Sequence, residues 1–577
     1  MGSSRAAAPR PRTPALVLGS VVVAVAVLVA AVALTSRQSA PPTIAEFAPQ
    51  AVAQIKQTLD EQSENDPART GNGTAGGEQA PSPSPLPGDA PPAVGPDGSP
   101  LPSAGAAPPP PPIEQPRVRQ CVGSPPRQTE DPQSPPCVPY FDPDIDNGGA
   151  TSKGVTSDQI TIAVPQQFLE DVNPTLKAAQ FFSKRYELYG RELVLVPYAT
   201  TGCVEAQPNP AKMRADAVAV DEELQAFATL AYAGCQGADH HYYDALADRG
   251  IISIVDGNVT TGLERNYARR SPFQWNVMAG TEVILANTAQ FYCGSLAGEA
   301  PRYAGARQLQ VPVRKLGVIT TRSTDGTTPD LTPLRDGLRA CGITPVEVRE
   351  DQTPGQNRNG VNAIVQLQDA GVTSVMCLCN PVDLREGYMR AASAQGYQPE
   401  WVESSYINND LDNTYGGGNA PPDQSSHVIG ISFRNKLLPK QDMPWFWAVK
   451  EADPTFEPAA GVYYSANSRY LQLLLLASGI QLAGPALTPE NFAQGLQRAT
   501  FPNPGAGEAP YFQARVGFTG PRHTMTGDAT MFSFDPRSPG TIDPSIPGAI
   551  CYVDRGRRYG LGSWPTSDPG FQSGSCR

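Results

Sequence analysis

From Gly154 onward the chain alternates short β-branched runs with stretches of helical periodicity. Ile160–Val164, Leu193–Tyr198, Phe227–Ala233 and Ile251–Val255 read as strands. Between them, Thr175–Tyr189, Ala211–Leu224 and Tyr242–Arg249 place apolar residues three or four apart, the spacing of one helix face. Gly250 supplies a helix stop after the third of these. A second series follows. Glu282–Leu296, Leu334–Cys341, Gly360–Ala370 and Pro381–Gln395 are predicted helices, and Lys315–Thr321, Val346–Glu350, Ser374–Cys379 and Trp401–Ile407 are predicted strands. Strands and helices joined by short connections predict parallel sheets covered by helices on both faces. Two such series predict two α/β lobes.

Past Ile407 comes a polar, Gly-rich loop, Asn408–Gln424. Strand Val428–Phe433, helix Pro444–Ala452 and a long apolar helix, Val462–Ile480, follow it. Within the last, Leu471–Leu476 is too short an apolar run to span a bilayer, with Arg469 beside it and Gln472 inside it. It reads as a buried core helix. The Gly/Pro-rich tail carries short strands, Met531–Phe534 and Ile550–Asp554.

Upstream the pattern differs. Arg5, Arg10 and Arg12 precede an uncharged apolar run, Ala15–Leu34, of about the 20 residues that cross a membrane as one helix. The basic flank stays inside, so the rest is expected outside the cytoplasm. An uncleaved signal anchor is the main reading; a cleaved signal ending at Ala31-Val32-Ala33 is the other. Ile44–Gln62 has the period of a stalk helix. From Ser63 to about Gln120 large apolar residues are almost absent, and Pro81–Pro112 favours extended polyproline II, so a disordered spacer is expected. The divisions are 1–36 basic end and anchor, 37–153 stalk and spacer, 154–273 first lobe, 274–404 second lobe, 405–503 return to the first lobe, and 504–577 a C-terminal β extension.

Composition sharpens this picture. A formal charge of −12, with no basic cluster beyond the N-terminus, excludes a nucleic-acid partner. The ten cysteines suit an oxidising compartment. A Cys121–Cys137 bridge would close a loop of about 15 residues, worth about 3 kcal/mol. Cys293 and Cys341 fall on neighbouring helices where a bridge fits, and Cys551 with Cys576 would staple the tail. Cys377 and Cys379 share one face of a strand. A metal or redox role would need further ligands, and none lies near in sequence, so structural or buried thiols are preferred.

Several segments resemble type I periplasmic binding proteins, the group that includes branched-chain amino-acid receptors of ABC transporters. GVTSDQITIAV resembles their opening strand, and TTGCVEAQPNPAKMRADAVAV their second strand-to-helix loop. AYAGCQGADHHYYDALADRGIISI resembles the third strand through the fourth. SPFQWNVMAGTEVILAN resembles the crossing between lobes, and YMRAASAQGYQPEWVESSY the last helix and strand before the return. The likeness covers roughly 154–500. It implies two Rossmann-like lobes with a hinge, a ligand between them, and a Cys203–Cys235 disulfide.

In open α/β sheets ligands sit beyond the C-terminal ends of strands. The candidates are therefore Gln166, Gln167, Gln236, Gly237, Asn258, Thr260 and Thr261 on the first lobe. On the second they are Arg322, Asp325, Asn380, Ser405 and Tyr406. In the resembled receptors, hydroxyls and backbone N–H groups of these loops hold a carboxylate, as Thr260 and Thr261 could, and a second-lobe acid holds an ammonium. Glu403 lies near that acid in sequence, but strand alternation can point it elsewhere. The His240-His241 pair reads as a helix-start surface pair, and Tyr242 and Tyr243 could stack on a ligand or pack. No nucleophile elbow, P-loop or HExxH motif is present, so no enzyme activity, cofactor or metal is expected. The sequence thus predicts a membrane-tethered extracytoplasmic solute receptor, with a small-molecule ligand and an ABC permease as partner. A sensor or envelope scaffold with the same fold is the alternative.

Overall fold

Five parallel strands make the first lobe: β1 (Gln159–Gln166), β2 (Glu192–Ala199), β3 (Ala228–Leu230), β4 (Ile252–Val255) and β5 (Gln274–Asn276). The structure is a computed structural model. It describes residues 120–577 apart from 125, 167–171, 205–206, 233–238, 257–263, 323–327, 352–359, 458–461, 504–513, 519–521, 572–575 and 577. The strand order is β2-β1-β3-β4-β5. Every residue of β3, β4 and β5 is buried, as strands covered by helices on both faces require, although β5 carries the polar Gln274 and Asn276. Helices α1 (Val172–Arg185), α2 (Pro210–Glu222), α3 (His240–Ala247) and the short α4 (Glu264–Arg269) connect them. Asn209 caps α2 by accepting a hydrogen bond from Lys212 N–H, with Pro210 at the first helical position.

After β5 the chain passes to the second lobe through α5 (Thr281–Ser295). Strands β6 (Leu316–Arg322), β7 (Val346–Asp351), β8 (Ser374–Leu378), β9 (Glu400–Ser404) and β10 (Val428–Ser432) are parallel, in the order β7-β6-β8-β9-β10. Helices α6 (Thr332–Ala340) and α7 (Val361–Asp369) flank them. The chain then returns to the first lobe, where α8 (Pro444–Ala452) and α9 (Tyr463–Ala483) pack on α1, and α10 (Pro489–Arg498) packs on α9. Gly479 permits that last contact, since a Cβ there would fall 2.1 Å from the Phe492 ring. A third passage brings the chain back to the second lobe. Strands β11 (Ala529–Pro539) and β12 (Pro547–Tyr552) extend its sheet antiparallel beyond β10, and β13 (Arg558–Tyr559) pairs with β11.

Three boundaries differ from expectation. The return to the first lobe begins after β10, not at residue 405, because the polar loop 408–424 leads into one more strand of the same sheet. From β11 onward the C-terminal extension is an integral part of the second lobe. The folded part also begins well before Gly154. Gln128, Asp131, Gln133 and Ser134, in the loop closed by the Cys121–Cys137 disulfide, are buried against the first lobe. Gln481 Nε2 donates to Gln128 Oε1 and to the Pro136 carbonyl, and the Tyr470 hydroxyl donates to Asp131. Pro-rich composition conceals this docking, because the contacts are made by isolated polar side chains rather than by an apolar face.

Cys293–Cys341, Cys551–Cys576 and Cys377–Cys379 are also bridged. The long apolar helix α9 is a core element, with Leu473, Leu474, Leu475 and Leu476 buried. Among the described residues no helix is long and apolar enough to cross a membrane. The Ala15–Leu34 run and the stalk lie outside those residues.

At the N-terminal edge of the second sheet, Arg314 and Glu400 form a fully buried two-point ion pair of 2.8 and 3.0 Å. Ser374 Oγ and the Tyr303 N–H also donate to Glu400, so β8, β9 and the loop before β6 share one carboxylate. Removing one partner of such a pair costs about 3–5 kcal/mol, because the other charge stays buried and unpaired. Glu400→Gln should destabilise the protein by about that much in urea unfolding, and the joint Arg314→Met, Glu400→Leu variant by clearly less.

Burial raises Asp131 and Asp412 to about 6, against hydrogen bonds from Gln133 and Tyr470 to the first and from Ile550 and Thr541 to the second. A carboxyl whose folded pKa exceeds its unfolded one binds protons more tightly when folded, so its contribution is present below about pH 4 and lost as pH rises through about 6. Two pKa units correspond to about 3 kcal/mol. The melting temperature should therefore fall between pH 4.5 and 7, and Asp131→Asn should flatten that slope; an unchanged slope would contradict the assignment.

Candidate functional site

The two sheets turn their C-terminal strand ends toward each other. Arg265, in α4 beyond β4, pairs at 3.0 Å with Asp330, in the connection beyond β6. Asp256, directly after β4, acts electrostatically on Arg434, directly beyond β10. A small-molecule site between facing strand ends is the arrangement open α/β sheets favour.

On the second lobe the rim is a polar network after β9. Asp410 is its centre. Ser405 Oγ and Ser432 Oγ each donate to Asp410 Oδ2, at 2.5 and 2.6 Å, and Arg434 Nε reaches Asp410 Oδ1 at 3.3 Å. The Phe433 N–H donates back to Ser405 Oγ, and Arg434 Nη2 donates to Asn408 Oδ1. This network holds two consecutive left-handed residues, Ile407 at φ 47° and Asn408 at φ 65°. Left-handed backbone is costly for a β-branched residue and clusters where the surrounding structure over-determines a functional loop. Burial lowers the pKa of Arg434, but the charges of Asp256 and Asp410 and the hydrogen bond to Asp410 raise it overall, so it stays charged.

Beneath the rim, the ladder between β8 and β9 runs only from Ser374–Glu400 to Val375–Trp401. Beyond it, side chains of the neighbouring strand and rim replace ladder bonds. Glu403 Oε1 accepts from the Cys377 N–H at 3.3 Å. Asn409 Nδ2 donates to the Cys377 and Cys379 carbonyls and to Glu403 Oε2. Glu403 is buried, and that burial pushes its pKa well above the usual carboxylate range. It wedges the sheet open and does not reach the rim.

Among the sequence candidates, Ser405 lies in this network as a buried scaffold group. Tyr406 is buried with its hydroxyl unpartnered among the described residues. Asn380 caps the following helix: its Oδ1 accepts from Asp383 N–H and its Nδ2 donates to the Asp383 carboxylate. Arg322 is committed to Asp351 in an exposed two-point pair between the ends of β6 and β7. Gln166 ends β1, half-buried. Nearby, Arg469 ties the ends of β1 and β3 by donating to the Pro165 and Ala231 carbonyls. Gln167, Gln236, Gly237, Asn258, Thr260, Thr261 and Asp325 lie outside the described residues.

Tyr242 and Tyr243 pack: both are buried in one core cluster with Tyr198, Tyr232 and Tyr267. The His240 and His241 rings lie 3.9 Å apart, tilted by 39°, at the start of α3, and His241 Nδ1 meets Arg214 at 3.3 Å. Sequence reasoning missed Asp256, Asn408, Asp410 and Arg434. A charged residue directly after an apolar strand was the available signal for Asp256.

No family model matches this sequence, and no curated protein matches it. Solved structures of similar outline exist. One is a solute-binding protein of an ABC transporter from R. palustris in complex with 4-hydroxybenzoate, 11% identical over 71% of this chain and 98% of that one, TM-score 0.48. Another is an ABC transporter substrate-binding protein from Desulfitobacterium hafniense in complex with Leu, 17% identical over 65% and 97%, TM-score 0.44. A branched chain amino acid ABC transporter structure from Thermus thermophilus with bound valine is 12% identical over 70% and 96%, TM-score 0.46. At such identities and TM-scores we take the fold from this chain's own topology: two parallel α/β lobes joined by three chain passages, the architecture of type I periplasmic binding proteins.

Cys203 is disulfide-bonded, and Cys235 lies outside the described residues. Peptide mapping under non-reducing conditions should recover the two in one linked fragment; free thiols at both would refute the pairing.

Proposed function

We propose that this chain is an extracytoplasmic solute-binding protein: its two lobes close on a small molecule held between the strand-end rims, and it does no covalent chemistry. The observation that carries this reading is the facing of the two rims. Arg265 of one lobe pairs with Asp330 of the other at 3.0 Å, and Asp256 of the first acts electrostatically on Arg434 of the second. Hinge closure about the three chain passages is the motion such an arrangement supports.

In this reading Ala15–Leu34 anchors the chain in the membrane by a single pass, and the Pro-rich segment holds the lobes away from the bilayer. A closed, loaded form would be recognised by an ABC-type permease. Gln166, Gln167, Gln236, Gly237, Asn258, Thr260, Thr261, Asp325 and Tyr406 remain proposed contacts on the strand-end loops. We withdraw Arg322, Asn380 and Ser405 from direct ligand contact, since their polar groups are committed within the protein.

The test is a thermal-shift screen of the full-length protein against a metabolite library, followed by tryptophan fluorescence. A ligand at 100 times its Kd stabilises the native state by about 2.7 kcal/mol. At least one small molecule should raise the melting temperature by several degrees, and Thr260→Ala with Thr261→Ala should weaken it. A library spanning amino acids, amines, sugars and organic acids with no hit would contradict the proposal.

A further inference from the structure

We infer that the solute presents a cationic donor, such as a protonated amine, and that Asp256 receives it; this rests on the solute-binding reading above. Asp256 stands at the C-terminal end of β4, on the first lobe's rim. Its Oδ1 is closed off from solvent and has no hydrogen-bond partner among the described residues. A buried acceptor left open costs about 1–3 kcal/mol, and more when it is charged. Such a group calls for a partner that arrives from outside the chain.

The facing cation does not fill that need. Arg434 feels the charge of Asp256, but two of its nitrogens are committed, to Asp410 and to Asn408, and no direct ion pair joins it to Asp256 among the described residues. Two carboxylates, Asp256 and Asp410, thus face one guanidinium, and one negative charge is left over. Arg558, which donates to the Arg434 carbonyl, is spent on Asp528 and does not supply it. Burial pushes Tyr464 and Tyr552 far above their ordinary pKa, so both hydroxyls are neutral. Asp410 is already satisfied by Ser405, Ser432 and Arg434, which leaves Asp256 as the open position.

The acid that the family resemblance pointed to, Glu403, is buried beneath the second-lobe rim and committed to Cys377 and Asn409. The charge that selects the solute therefore sits on the opposite lobe from that expectation. A neutral or anionic solute would leave that net negative charge in the closed cleft, whereas a cation cancels it.

The experiment sorts the compounds that bind the full-length wild-type protein by charge and repeats the titrations with Asp256→Asn. Bound compounds should carry a protonated amine or another cationic donor. The variant should lose about 100-fold in affinity for them. Without solute the variant should melt at the same temperature or higher, because the excess negative charge beside Asp410 has been removed. A lower melting temperature would mean that Asp256 is a structural partner of Arg434 and would overturn the inference. So would a tight neutral or anionic solute, or cation binding unaffected by the substitution. If compounds bind but lack positive charge, the solute-binding reading stands and this inference falls; if nothing binds, both fall.

Discussion

Three passages of one chain are bonded to each other between the lobes, and the position of everything on the rims follows from that junction. Arg558 is its bolt. Its guanidinium donates to the Phe433 and Arg434 carbonyls on the second passage, and to the carboxylate and carbonyl of Asp528 on the third. The first passage joins through backbone: Asn276 N–H donates to the His523 carbonyl, and Met525 N–H to the Asn276 carbonyl. Arg558 and Asp528 are both almost fully buried, so this pair is formed at low dielectric, where its geometry is held tightly. Arg434 extends its own side chain from the same bolted segment toward Asp410 and Asn408. The rim is therefore tied to the junction by Arg434, whose backbone belongs to one and whose guanidinium belongs to the other, and by the Phe433 N–H on Ser405 Oγ.

The parallel sheets make the junction useful. Parallel strands deliver all their C-terminal ends to one edge, so a chain that builds two such sheets in sequence has two edges available for binding. At the opposite edge of the second lobe, structural contacts tie strands together, as Arg314 and Glu400 do. The cleft edge instead gathers the less regular features: the early end of the β8–β9 ladder, the left-handed Ile407 and Asn408, and the open Asp256. Ile407 and Asn408, two of the six left-handed non-glycine residues among the described residues, thus stand where a solute would be held.

Much of the fold was legible in the sequence, because strands buried on both faces leave continuous apolar runs. The predicted Val428–Phe433 and Ile251–Val255 agree with the observed strands to within a residue. Passages between lobes were harder, since a polar Gly-rich loop such as 408–424 looks like a departure whether or not the next strand rejoins the same sheet. The docked Cys121–Cys137 loop was invisible for a similar reason: Gln128, Asp131 and Gln133 are ordinary loop residues until Tyr470, Gln481 and Asn435 are placed beside them. At the rim, position could be predicted but commitment could not. Asn380, Ser405 and Arg322 all stand at strand ends, yet each spends its polar groups within the protein, and only three-dimensional neighbours reveal that. Asp256 is the converse case, a residue whose significance lies in the partner it lacks.

The central claim is that a small molecule is enclosed between the two strand-end rims. A crystal structure of the protein with a compound taken from the thermal-shift screen tests it most directly. The account predicts electron density for that compound between Asp256 and the Ser405–Asn409 turn, with both lobes in contact with it. Density in another cavity, or a bound compound touching only one lobe, would contradict it.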